Sequence, residues 1–208
     1  LNVRAGATKL TAGEVAELLC EFSGKDRATF CDTGSEAVTA AIRVARTVSQ
    51  RDKIAVFQGS YHGIFDEVLG RPMVQNGQLA TAPIAPGITD DSLANILILE
   101  YGNPESLEFI RRYANDLAAV IVEPVQSRRP DLQPREFLKS LRALTREHDI
   151  ALVFDEVVTG FRCHPRGAQA VFDIDADLVT YGKVMGGGMP IGALAGRKKY
   201  MDALDGGA

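Results

Sequence analysis

The fold class is decided by the stretch Ile150-Ala151-Leu152-Val153-Phe154-Asp155-Glu156. Five apolar residues end abruptly at two carboxylates, a pattern typical of a strand that is buried on both faces of a parallel sheet. Residues 134–148 precede this strand and predict an amphipathic helix. The inward face of that helix is built from Phe137, Leu138, Leu141 and Leu144. A buried strand directly after an amphipathic helix indicates an α/β protein.

Short apolar runs alternate with helical patterns along the rest of the chain. Further strands are predicted at residues 29–31, 53–57, 96–99, 118–122 and 177–180, and a further helix at 104–115. Another helix is predicted after Ser35, because apolar residues recur there at helical spacing. They are Ala37, Ala40, Ala41, Val44, Ala45 and Val48. The alternation supports an α/β fold.

Composition and charge exclude several classes of protein. The 208 residues are 46% hydrophobic and 24% charged, which argues against disorder. The longest apolar run, Leu117–Val122, is six residues long. A membrane-spanning helix needs about 20, so no membrane partner is expected. The net charge is −4 and there is no basic block, so no nucleic-acid partner is expected either.

The cysteines and histidines indicate neither a disulfide framework nor a metal site. Cys20, Cys31 and Cys163 contain no CxxC pair, and they are interpreted as reduced thiols in a cytoplasmic protein. The three histidines lack the spacing of metal ligands. We therefore expect no metal and a cytoplasmic location.

Polar or aromatic side chains follow several predicted strands at the point where each strand ends. They are Ser35, Tyr61, Glu123, Asp155 and Lys183. The carboxyl ends of the strands in an open α/β sheet form its ligand crevice. These side chains are therefore predicted to share one site.

Two of these strand ends carry groups with chemistry of their own. Gly34 and Ser35 lie between a strand and a helix, where backbone amides and the helix dipole favour phosphate, although a plain N-cap is the more common explanation of such residues. Lys183 precedes three glycines. A partly buried lysine loses its proton readily and can form a Schiff base. The alternative is a solvated loop lysine, which has the same sequence pattern.

The other strand ends suit a flat heterocycle. Asp155 follows a wholly apolar run, where a carboxylate needs a partner such as a protonated ring nitrogen or the next turn. Tyr61 and His62 precede Gly63, so an aromatic ring could stack on a cofactor there, or lie half-buried in a turn. Asp155 and Glu156 are adjacent on the strand, so they point to opposite sides and form no dyad.

Five segments in order carry a resemblance to a known family. They are Thr33–Ala37, Ser60–Gly63, Val122–Gln126, Val153–Arg162 and Tyr181–Gly192. With these motifs the chain resembles class III pyridoxal-phosphate (PLP) aminotransferases of fold type I, closest to the glutamate-1-semialdehyde aminomutase branch. The resemblance implies a mainly parallel seven-stranded sheet with helices on both faces.

The resemblance also implies how the chain is organised. Residues 1–208 would form the PLP-binding large domain, incomplete at both ends and without the C-terminal small domain. The absence of an initiator methionine and of a terminating element also suggests a fragment of a longer protein. The full-length protein would be a homodimer that uses an amino-acid donor and a keto acceptor.

The family pattern assigns a role to each matching residue. Lys183 would carry the cofactor as a Schiff base, and Asp155 would pair with the pyridine nitrogen. Gly34 and Ser35 would hold the phosphate. The remaining contacts would come from Tyr61 on one ring face, Val157 on the other, and His62 and Glu123 nearby. Val158 departs from many class III relatives, which carry glutamine there.

A finer resemblance concerns the substrate. Gln126–Pro134 resembles aminotransferase domains of hybrid polyketide synthase and non-ribosomal peptide synthetase enzymes. The acceptor would then be a β-keto acyl thioester on a carrier protein. The alternatives are a stand-alone glutamate-1-semialdehyde 2,1-aminomutase and a non-catalytic scaffold that kept the fold. Because Lys183 and Asp155 are both present, an enzyme is favoured.

Overall fold

The computed structural model describes residues 6–75 and 78–205, and its centre is a seven-stranded sheet. The strands are β1 (Arg27–Cys31), β2 (Lys53–Phe57), β3 (Gly70–Gln75), β4 (Gln78–Pro83), β5 (Ile96–Leu99), β6 (Leu117–Val122), β7 (Ala151–Asp155), β8 (Leu178–Tyr181) and β9 (Gly192–Gly196). The large sheet has the order β1-β9-β8-β7-β6-β2-β5, and β3 pairs with β4 in a separate hairpin.

The large sheet is mainly parallel, as the sequence predicted. Strands β5, β2, β6, β7 and β8 run parallel to one another. Only β9 is antiparallel to its neighbours, β1 and β8. Every residue of β6 and β7 is buried, which explains their unbroken apolar sequences.

Helices cover both faces of the sheet. They are α1 (Gly6–Ser23), α2 (Gly34–Ser49), α3 (Asp90–Leu93), α4 (Pro104–Arg112), α5 (Arg135–Glu147), α6 (Gly167–Phe172) and α7 (Lys198–Met201). Side chains of α1, α4, α5 and α6 belong to one hydrophobic cluster, and those of α2, α3 and α7 belong to a second. The two clusters take alternate residues of the central strands, as the period of a strand requires. No helix in the described ranges combines the length and apolarity needed to cross a bilayer.

The N-terminal cap of α2 differs from one of the two interpretations of Gly34 and Ser35. Thr33 caps this helix: its Oγ1 accepts the Glu36 amide at 3.2 Å, and the Glu36 carboxylate accepts the Thr33 amide at 2.8 Å. The interpretation of Gly34 and Ser35 as a plain N-cap is therefore wrong. Both residues lie inside the first turn, with their amides at the positive end of the helix.

Glu156 and Asp155 point to opposite sides, as predicted. The buried Glu156 carboxylate accepts the amides of Ala168 at 2.6 Å and Gln169 at 3.1 Å, and the Thr159 hydroxyl at 2.9 Å. Burial raises the pKa of Glu156, although these three donors oppose the shift. Glu156 thus anchors the first turn of α6 and takes no part in the site described next.

Candidate active site

Asp155 is held at the carboxyl end of β7 by three neighbours. Its Oδ1 accepts the Val157 amide and the Thr180 hydroxyl, each at 3.2 Å. Its Oδ2 lies 2.7 Å from Nδ1 of His62. Both side chains of this pair are almost wholly buried. The carboxylate therefore has one orientation, fixed from three elements.

His62 presents a buried nitrogen with no partner. Its Nδ1 faces a carboxylate, which only accepts, so Nδ1 carries the hydrogen and Nε2 of a neutral ring is an acceptor. Nε2 has no hydrogen-bond partner among the described residues. Because unpaired buried polar atoms are rare in native proteins, such an atom is typical of a site that a ligand completes.

Three glycines bring the backbone close to the other candidate residues, and we call Gly34, Gly63 and Gly182 the glycine cradle. A Cβ on Gly34 would lie 2.8 Å from Cγ2 of Val157, and one on Gly63 would lie 2.6 Å from Oγ of Ser35. A Cβ on Gly182 would lie 3.4 Å from Cγ1 of Val157. Gly63 also has a φ of +125°. The cradle therefore lets the backbone approach Val157 at Gly34 and Gly182, and Ser35 at Gly63.

The first turn of α2 has the features of a phosphate site. The helix is 16 residues long, and Thr33 occupies the amide of Glu36. The amides of Gly34 and Ser35 have no acceptor in the described part of the chain. Free amides at the positive end of a helix dipole bind phosphate. Ser35 adds a hydroxyl on the same turn.

Lys183 follows β8, the strand next to β7. Asp155 is the register partner of Thr180, so Lys183 comes three residues after the position beside that carboxylate. Lys183 has a φ of +45°, in the left-handed region that a lysine rarely adopts. Strained backbone of this kind is concentrated at functional sites. The side chain is exposed and makes no hydrogen bond within the described ranges, so in this structure it matches the solvated loop lysine and not the partly buried one.

Glu123 connects two loops at the same edge of the sheet. Its buried carboxylate accepts the Tyr61 amide at 2.9 Å and the Ser127 amide at 3.1 Å. Gln126 adds a second link, because its Nε2 donates to the Gln58 carbonyl at 2.9 Å and to the Ser60 hydroxyl at 3.0 Å. Glu123 thus acts on the backbone that carries Tyr61, a residue that is 42% exposed.

The structure places the sequence-predicted residues at one edge of the sheet: His62 contacts Asp155 and Glu123 contacts the Tyr61 backbone, whereas Lys183 is placed there by strand register alone. Sequence reasoning missed that His62 contacts Asp155, that Thr180 supports it, and that Gln126 holds the loop of Ser60. For the contact between His62 and Asp155, the only signal in the sequence was the position of His62 beside Gly63. Within residues 6–75 and 78–205 no group of three His, Cys, Asp or Glu side chains could hold a metal ion.

A comparison with known families identifies the protein family to which the chain belongs. The family model described as aminotransferase class-III matches residues 2–208. The chain belongs to the class III aminotransferases. A glutamate-1-semialdehyde 2,1-aminomutase of Methanothermobacter thermautotrophicus is 44% identical over 194 residues, which cover 92% of this chain and 46% of that protein. The chain spans about half the length of the curated relatives it matches.

Solved structures of transaminases share the fold. An omega-transaminase from Sphaerobacter thermophilus superposes with a TM-score of 0.87 at 31% identity, covering 99% of this chain and 48% of that one. A transaminase solved with PLP bound gives 0.86 at 33% identity, covering 99% and 48%. This is the fold type I architecture, and the class III aminotransferase family uses PLP.

The residues present fit that cofactor. A carboxylate, an amine, a helix start with unpaired amides and a close backbone approach are the groups that a phosphorylated pyridine aldehyde requires. The unpartnered Nε2 of His62 lies in the same region. Nothing in the described part of this arrangement conflicts with a flat, anionic ligand.

Proposed function

We propose that the full-length protein transfers an amino group from an amino-acid donor to a keto or aldehyde acceptor, with Lys183 as the residue that binds PLP. One observation carries the proposal: Asp155 and Lys183 follow the neighbouring strands β7 and β8, and His62 holds Asp155 in place. A scaffold without turnover would have no need of a lysine in strained backbone directly after the strand next to that of an oriented, buried carboxylate.

Bound PLP supplies an electron sink for the pair of electrons released when the substrate Cα–H bond breaks. The charge of Asp155 would keep the pyridine nitrogen protonated, which maintains that sink. Once released from the cofactor, the Lys183 amine would take the proton from the substrate Cα and return it to the cofactor carbon. The two residues would thus have separate tasks: Asp155 would hold the charge on the ring nitrogen, and Lys183 would carry the proton.

The remaining residues would position the cofactor. The amides of Gly34 and Ser35, with the Ser35 hydroxyl, would bind the phosphate. Tyr61 and Val157 would contact the two faces of the ring. Glu123 would act indirectly, because its carboxylate holds the Tyr61 amide.

We further propose that the acceptor is a β-keto acyl thioester on a carrier protein. The support is the segment Gln126–Pro134, which resembles the corresponding segment of synthase-embedded aminotransferase domains. It lies next to the site, because Gln126 contacts the loop of Ser60. The second candidate is glutamate-1-semialdehyde 2,1-aminomutase activity, which the name of the 44% identical relative favours.

The two acceptors are distinguished with the full-length holoenzyme. It is incubated with an amino-acid donor and either a β-keto acyl carrier protein or free glutamate-1-semialdehyde, and products are identified by mass spectrometry. A β-amino acyl carrier supports the proposal. Conversion of free glutamate-1-semialdehyde alone contradicts it and supports the aminomutase.

We also propose that the full-length protein is a cytoplasmic homodimer. The family resemblance supports the dimer, and the three free cysteines support a reducing compartment. Light scattering on the full-length holoenzyme measures the first point, and a monomer mass contradicts it.

A further inference from the structure

A cavity of about 360 Å³ lies beside the candidate cofactor site, between the loop after β2 and the β3–β4 hairpin. Its wall includes Tyr61, His62 and Gly63, so it borders residues that are expected to contact the cofactor. It is therefore placed to receive a part of a substrate that extends away from the reacting atoms.

The side chains with a fixed charge that line this cavity are both positive. Arg71 and Arg128 are the only lining residues with a fixed charge, and no carboxylate lines it in the described part of the chain. This is unexpected in a protein whose net charge is −4. Two positive side chains that line one cavity raise the local concentration of anions there, although the buried carboxylates of Glu123 and Asp155 contact the lining residues Tyr61 and His62 from outside the cavity.

Neither arginine is used elsewhere in the described structure. Both lack an ion pair or a side-chain hydrogen bond within residues 6–75 and 78–205. Arg128 instead lies over the Tyr61 ring, with its Cζ 5.9 Å from the ring centroid. A guanidinium stacked on an aromatic face keeps its N–H donors available at the edge for a planar or tetrahedral anion.

The hairpin that carries Arg71 is firmly attached. A Cβ on the preceding residue, Gly70, would lie 2.5 Å from Thr81 and 2.8 Å from Ile98, so backbone and neighbours are in close contact there. Thr81 also donates to the Ile96 carbonyl at 2.5 Å. The position of Arg71 is thus fixed by the packing of the hairpin against β5.

We propose that Arg71 and Arg128 bind an anionic group of the acceptor substrate, a phosphate or a carboxylate, at a subsite separate from the cofactor phosphate. The inference rests on the proposed amino transfer, because it assigns the subsite to the acceptor of that reaction. For a carrier-bound acceptor the anion would be the phosphate of the pantetheine arm. For a free acceptor it would be a carboxylate.

The test uses the full-length holoenzyme and matched probes. Binding of 4′-phosphopantetheine and of pantetheine, which differ only in the phosphate, is measured by calorimetry. A third probe is a pantetheine thioester whose acyl chain ends in a carboxylate. The proteins are wild type, Arg71→Gln, Arg128→Gln, Arg128→Lys and the control Arg129→Gln. Arg129 is the neighbouring exposed arginine and does not line the cavity.

We expect the wild type to prefer an anionic probe about 10- to 100-fold, the usual effect of a hydrogen bond to a charged group. Arg71→Gln and Arg128→Gln should lose this preference, Arg128→Lys should retain part of it, and Arg129→Gln should retain all of it. A preference for the phosphate identifies the pantetheine arm, and a preference for the carboxylate identifies the acyl chain.

Two results would overturn the proposal: no preference for either anion in the wild type, or an unchanged preference in the Arg71→Gln/Arg128→Gln double variant. The same titrations on Lys183→Ala separate this proposal from the function itself. That variant should lose amino transfer and still bind the anionic probe, so failure of one does not imply failure of the other.

Discussion

Nδ1 of His62 lies 2.7 Å from Oδ2 of Asp155, although the two residues are 93 positions apart in the chain. Both are buried, and Oδ1 of the same carboxylate is occupied by Thr180 and Val157. The imidazole therefore shares with Thr180 and Val157 the task of orienting the carboxylate. His62 is a positioning residue for Asp155, and its effect on the reaction should pass through that carboxylate.

Replacement of Asp155 by Asn should lower kcat of the full-length enzyme about 10²- to 10³-fold, the effect of removing one preorganised electrostatic group. His62→Phe should cost less, because the carboxylate remains and loses only one of its three contacts. In the Asp155→Asn background His62→Phe should have little further effect, since residues that act as a unit are not additive. Steady-state kinetics of the two single variants and the double variant measure this. Additive losses would contradict a positioning role.

The effect of the close contact between Gly63 and Ser35 can be measured separately from the effect of backbone strain, by comparing two glycines. Gly63 and Gly87 both have positive φ, but a Cβ would meet Ser35 Oγ at 2.6 Å in the first case and nothing within 4 Å in the second. Gly63→Ala should therefore weaken PLP binding by roughly 10-fold or more, from about 1–3 kcal/mol of overpacking. Gly87→Ala should cost only the strain of the left-handed conformation, about 1 kcal/mol of unfolding free energy.

Fluorescence titration of PLP into the full-length apoenzyme, with chemical denaturation in parallel, measures both quantities. Equal PLP affinity in the two glycine variants would show that the contact with Ser35 is unimportant for the cofactor. Gly13→Ala in α1 is a further reference, because nothing lies near that position. It should stabilise the helix by about 0.5–1 kcal/mol.

Acid should weaken the ion pair between Lys25 and Asp175. Burial alone would raise the pKa of Asp175, but the hydrogen bond and charge of Lys25 together with Arg197 hold that pKa below its ordinary value. A lowered carboxylate pKa gives stability that is present above the ordinary value and is lost as pH falls through the lowered one. Because Asp175 is half-exposed, the effect should not exceed about 1 kcal/mol.

Unfolding of Asp175→Asn, measured between pH 2 and 7, should therefore show a shallower loss of stability in acid than the wild type. Asp205→Asn is the matched control, because Asp205 pairs with Arg27 in the open. That change should alter stability little at any pH. An identical acid dependence in wild type and Asp175→Asn would contradict the stated direction.

The sheet was largely predictable because its strands are apolar runs bounded by turn residues. The predicted strand at residues 150–154 is β7 shifted by one residue, and its buried pattern explains the strength of the signal. The predicted helix at 104–115 ends at Arg112, since the last turn continues as a tight turn before β6. Helix ends are less certain than helix cores, because sequence patterns describe faces rather than termini.

Other elements gave little signal. The β3–β4 hairpin contains Pro72 and only partly buried positions, so neither alternation nor an apolar run identifies it. The short helix α6 depends on Glu156 binding its first amides, a contact between distant segments of backbone. The pairing of His62 with Asp155 and the cavity between Arg71 and Arg128 likewise depend on tertiary packing, which no local pattern specifies.

The most direct test reduces the full-length holoenzyme with borohydride and maps the pyridoxyl group by peptide mass spectrometry. We expect one modified peptide, carrying the group on Lys183, and no modification in Lys183→Ala. Lys198, an exposed lysine at the start of α7, serves as the control position and should remain unmodified. A pyridoxyl group on any other lysine, or none at all in protein saturated with PLP, would contradict the account.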